Sequence, residues 1–88
     1  MPKTSQELAQ TIEDARTKAA AVQHAADVVE ALLNERRGHE AAWARAQGVA
    51  EAVPESISAK ERAASLAQAV AEMDAAIERA SADLEGLR

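Results

Sequence analysis

Apolar residues recur along two stretches of this chain at spacings that alternate between four and three, and a proline-containing turn precedes the second stretch. The first runs Leu8, Ile12, Ala15, Ala19, Val22, Ala26, Val29, Leu33. The second runs Ala59, Ala63, Leu66, Val70, Met73, Ile77, Ala80, Leu84, Leu87. An average repeat of about 3.5 residues puts every member on one stripe of a helix that lies along another helix. The pattern therefore predicts an all-α fold. Two long amphipathic helices, antiparallel or bundled, are joined by a short helical connector, as a hairpin or a three-helix arrangement.

The helix ends carry their own signals. Thr4-Ser5-Gln6-Glu7 reads as a capping box, in which the Thr4 hydroxyl takes a backbone N–H of the first turn and Glu7 reaches back. Arg36, Arg37 and Gly38 suit a helix C-terminus, two cations facing the negative end and a glycine to leave it. Residues 5–37 are read as one helix. Pro54-Glu55-Ser56-Ile57 is read as a turn, and Ser58-Ala59-Lys60-Glu61 as a second capping box opening a helix over 58–86.

Between them, residues 39–53 are rich in helix-forming alanine, with an apolar face of Trp43, Ala46, Val49, Ala50 and Val53. Extending the first stripe past Leu33 lands on Arg36, Glu40 and Gln47, all polar. The favoured reading ends the first helix or kinks it sharply at Gly38, with a separate short helix behind. The alternative is one helix running through Gly38 to Pro54. It has in its favour the lack of any capping residue after Gly38.

Eighty-eight residues bound the chain to a single domain, 1–88. Alanine supplies about a quarter of it, far above ordinary usage, and aromatic residues are reduced to one Trp. Alanine favours the helix and gives little surface to bury. Small side chains on both stripes let helix axes approach closely, and such contacts tolerate enlargement poorly. A core this thin points to a protein that completes itself against another chain. The expected partner is protein: a second copy or a helical hetero-partner. The side chains expected to carry the contact are Trp43, Leu8, Ile12, Val22, Val29, Leu33, Val70, Ile77 and Leu84.

The net charge is −5, spread evenly as about −1 over residues 1–37, −2 over 38–57 and −2 over 58–88. That is the wrong sign for nucleic acid, whose phosphates must be neutralised, and for an anionic membrane surface. No stretch is apolar enough to span a bilayer, and Met-Pro-Lys-Thr-Ser-Gln-Glu lacks a hydrophobic signal core. The cytoplasm is the expected compartment, with export by a route that needs no cleaved signal left open.

Chemistry-bearing patterns are few. There is no Cys, which removes thiolate chemistry and Cys-ligated metals. His24 lies away from the stripe with Asp27 three residues on, too few ligands for a metal site, and reads as a surface histidine. His39 follows Glu35 by four residues; it reads mainly as structural, and its sharper role would be a pH-sensitive hinge at the Gly38 break. Glu72, Asp74, Glu78, Asp83 and Glu85 form a solvated acidic face on the last helix. Asp74 and Glu78 repel each other one turn apart. No nucleophile–base arrangement or glycine-rich phosphate loop is present, so no enzyme, cofactor, metal or small-molecule ligand is expected. The chain has the length and acidity of Esx-type small secreted proteins, but Trp43 is followed by Ala44-Arg45 and not by the Trp-x-Gly of that family. The Pro-Ser-x-Pro turn of type III secretion needle proteins is missing as well, and the sequence is assigned to neither.

The function expected from these features is a non-catalytic protein–protein interaction module. The alternative is a small acidic stoichiometric inhibitor, antitoxin-like or phage anti-defence in kind, that occupies a basic site on its target.

Overall fold

The computed structural model describes residues 4–88; Met1 to Lys3, the start of the N-terminal stretch, lie outside them. The described chain is all-helical: α1 spans Ser5–Ala52 and α2 spans Ile57–Leu87. Four residues connect them, and the two helices pack side by side in opposite directions. The molecule measures 78 × 15 × 13 Å, with a radius of gyration of 21.9 Å. A compact domain of this length would have a radius near ~12 Å, so the protein is a rod two helices thick.

The expected break at Gly38 does not occur, and residues 39–53 are not a separate connector. α1 runs through Gly38 as one helix of 48 residues. No glycine has a positive φ. The physical reason lies in phase. The face of α1 that is half-buried or buried runs Val22, Ala25, Val29, Leu32, Arg36, His39, Trp43, Ala46, Ala50. Its steps are three and four throughout, and it crosses Gly38 without interruption. Burying Trp43, Ala46 and Ala50 on the same track as Val22 and Val29 requires a continuous axis. That gain outweighs the ~1 kcal/mol that an interior glycine costs. Arg36 and Arg37 accordingly sit mid-helix and cap nothing.

Both ends of the connection follow from Pro54. Proline has no N–H to donate into α1 and pushes the residue before it out of the helical region. Val53 sits at φ −127°, ψ 70° and gives its N–H to the Val49 carbonyl at 2.9 Å. Ser56 is then the first side chain able to cap the next helix. Its Oγ accepts from the Ala59 N–H at 3.2 Å. α2 therefore begins at Ile57 rather than Ser58, and the expected box at 58–61 is not formed, because Ser58 is already inside the helix. At the other end of the molecule the Thr4 capping box is present as read, with Thr4 Oγ1 accepting from the Glu7 N–H at 3.2 Å and a Glu7 carboxylate oxygen accepting from the Thr4 N–H at 3.2 Å.

On α2 the covered face is Ala59, Ala63, Leu66, Val70, Met73, Ile77, Ala80 and Leu84, each half-buried or buried. This is the stripe read from the sequence, less Leu87, which is exposed. Among the described residues only Ala46 and Val70 are buried, at 6% and 8% exposure, and no side chain is fully enclosed. The chain exposes 6602 Å², against roughly 5,000 Å² for a typical monomer of this mass. Two helices alone cannot enclose a core.

Candidate functional site

α1 is 48 residues long and α2 31, about 72 and 46 Å at 1.5 Å per residue. The turn aligns them at one end, so α1 overhangs α2 at the other. Burial marks the limit. Every described residue from 4 to 20 is exposed, and half-buried residues begin at Ala21. Over residues 5–20, α1 stands alone as roughly 24 Å of single helix. Leu8 and Ile12 lie on this segment at 50% and 53% exposure. With Ala15 and Ala19 they form an apolar face that runs into the covered stripe at Val22.

The side chains expected to carry the partner contact thus fall into separate groups. Val22, Val29, Trp43, Val70, Ile77 and Leu84 are half-buried or buried along the intrachain seam, so the chain itself uses most of them. Leu8 and Ile12 are open. Leu33 is exposed, off the seam, and its neighbour Leu32 takes the seam position. The turn end carries a second group of exposed apolar residues, Val49, Val53 and Ile57.

Sequence reasoning missed Arg36 as a seam residue. Its Nε donates to Asp74 Oδ1, its Nη2 reaches Asp74 Oδ2 at 3.5 Å, and its Nη1 stands 2.7 Å from Glu40 Oε1. A long stem lies along the groove while the guanidinium reaches the edge, which lets a charged residue occupy a seam position. Donating to Asp74 first and to Glu40 second raises the Arg36 pKa above its ordinary value. Asp74, read as half of a repelling pair with Glu78, is the cross-helix partner of Arg36. This is the only ion pair joining the helices among the described residues. It is partly exposed, and we expect it to fix register more than stability. A double-mutant cycle over Arg36→Ala and Asp74→Ala should show a weak coupling that fades at high salt. A large, salt-insensitive coupling would instead make the pair a main support of the hairpin.

His39 Nε2 lies 3.8 Å from Glu35 Oε1 within the uninterrupted helix, so there is no hinge for it to control. His24 is exposed at an open groove lined with Ala25, Val28, Ala80 and Asp83. Among the described residues no group of three or more His, Cys, Asp or Glu could hold a metal ion. None of the described helices is long and apolar enough to cross a membrane. The grooves along the seam are open and shallow. Near the turn, one is lined by Ala42, Arg45, Ala46, Val49, Ala59 and Arg62, and a wider one by Ser58, Glu61, Arg62, Ser65 and Leu66.

No family model, no curated protein and no solved structure matches this chain. The functional reading therefore rests on the geometry.

Proposed function

We propose that this protein is a non-catalytic interaction module, a small structural or adaptor protein that works by laying its helices against other helices, either those of a second copy or those of a helical partner. The observation that carries the reading is the bare overhang of α1. A stretch of 16 residues is helical with no tertiary cover. Isolated helices of that length are marginal in water, because packing of an apolar face supplies most helical stability. A capped end and an apolar face on an unsupported helix fit a segment that is completed by another chain. The same features support protein as the partner class, in preference to nucleic acid, membrane or small molecule, and the reading assumes a cytoplasmic setting.

The acidic-inhibitor reading has one observation in its favour. Glu72, Glu78, Asp83 and Glu85 are all exposed on α2. Asp74, in the middle of that face, is already engaged by Arg36, which weakens the stripe as a docking surface. Salt separates the two readings. Mass measured by light scattering at low and high salt should stay above that of a single 9.3 kDa chain if apolar seams drive assembly. A lone chain at low salt that recruits a basic protein, and loses it as salt rises, would favour the inhibitor.

A further inference from the structure

We infer that residues 5–20 of α1 form a self-complementary dimerisation segment, which pairs antiparallel with the same segment of a second copy. The inference rests on the interaction-module reading and names its partner and register.

Three observations point to a second copy. The first is continuity. Leu8, Ile12, Ala15 and Ala19 lead at four–three spacing into Val22, the first residue of the seam that α2 covers. An occupant of the overhang therefore prolongs an existing helix–helix interface. An antiparallel overhang does this without a gap. With the two segments fully overlapped, the partner's α1 begins where α2 ends, near Arg88, and continues along the same track. The partner's helix N-terminus then faces the C-terminus of α2, positive end to negative end.

The second is shape. In that overlap Leu8 falls opposite the partner's Ala19, and Ile12 opposite the partner's Ala15. Each layer joins one large and one small side chain, so the layers fill without voids or collision. A parallel pairing would set Leu8 on Leu8 and Ala19 on Ala19, crowding one end and leaving the other empty.

The third is charge. The segment's acids, Glu7, Glu13 and Asp14, precede its bases, Arg16 and Lys18. Neither base enters an ion pair among the described residues. Antiparallel pairing in this register sets Glu7 within one turn of the partner's Lys18 and Glu13 within one turn of the partner's Arg16, while Glu13 and the partner's Asp14 meet at the centre. A parallel pairing would align like charges, which is repulsive.

The chain has no cysteine, so engineered cross-links report without background. Leu8→Cys mixed with Ala19→Cys should give a disulfide between the two variants on mild oxidation. Each variant alone should give almost none, because two copies of position 8 stand about 16 Å apart in this register, beyond disulfide reach. The paired substitution Leu8→Glu with Ile12→Glu should weaken self-association at least tenfold in the full chain and leave melting in dilute solution, where the wild type is dissociated, unchanged, since both residues lie on the exposed overhang beyond α2. Efficient linking of Leu8→Cys to itself would overturn the antiparallel register. A dimer that survives the Glu substitutions would place assembly elsewhere on the rod, overturning this inference while the interaction-module reading stands. A wild-type chain of single mass at every concentration would remove the second copy altogether and leave only a hetero-partner.

Discussion

Val70→Lys should unfold the hairpin. Val70 is one of the two buried residues among those described, at 8% exposure, and it lies at the middle of the α2 seam. Lysine there places an ammonium in the tightest part of the interface, one turn before Asp74, whose carboxylate is already engaged by Arg36. A buried charge without a partner of its own costs about 3 kcal/mol or more. A two-helix rod with so little interior has no reserve of that size. Circular dichroism should show most of the helical signal lost at 25 °C, and Trp43 emission should move toward that of solvent-exposed indole. A variant that melts like the wild type would show that the seam between α1 and α2 is not what holds the chain together.

Gly38→Ala should stabilise the protein, and Gly38→Pro should break it. A β-carbon built on Gly38 meets nothing within 4 Å, and the residue has ordinary helical geometry. Alanine is better than glycine at an open helix interior by ~1 kcal/mol. In a domain of this size that shift raises the melting temperature by roughly 4–8 °C. Proline would remove one backbone hydrogen bond and strike the carbonyl of Asn34, at a cost of about 3 kcal/mol or more. The alanine variant discriminates between two architectures. If the chain left the helix at Gly38 in a left-handed conformation, alanine would destabilise it by a similar amount.

The same residue marks where sequence reasoning fell short. The α2 stripe was legible almost to the residue, because Leu66, Val70, Met73, Ile77 and Leu84 fix one phase. On α1 two doublets, Ala25-Ala26 and Leu32-Leu33, let two phases fit equally well over the middle of the helix. Following Ala26 and Leu33 leads to a polar dead end and suggests a break. Counting backward from Trp43 through His39, Arg36, Leu32, Val29 and Ala25 gives the covered face. What hid that phase was Arg36, a charged residue on an apolar track. Its acceptor Asp74 is 38 residues away in the chain, and no local pattern announces it. The turn at Pro54 was legible, but its cap lies two residues earlier than the sequence suggests. Ser56 and Ser58 both suit an N-cap, and the earlier one wins because Pro54 has already ended α1.

The contact residues were legible only in part. Spacing identifies which side chains lie on a stripe and is silent on which of two helices is longer. The overhang exists because α1 continues through Gly38, so the misplaced break also concealed the segment now assigned to docking. With a helix ending at residue 37, the two helices would match in length and no bare end would remain.

The central claim is that the folded protein is completed by a helix of a second copy, and the dependence of melting temperature on protein concentration tests it most directly. An assembly whose folding is coupled to association becomes more stable as concentration rises. The prediction is a melting temperature that climbs by several degrees for each tenfold increase, with the change abolished in the Leu8→Glu/Ile12→Glu protein. A sharp melt at one fixed temperature from dilute to concentrated solution, in a chain that remains single throughout, would contradict it.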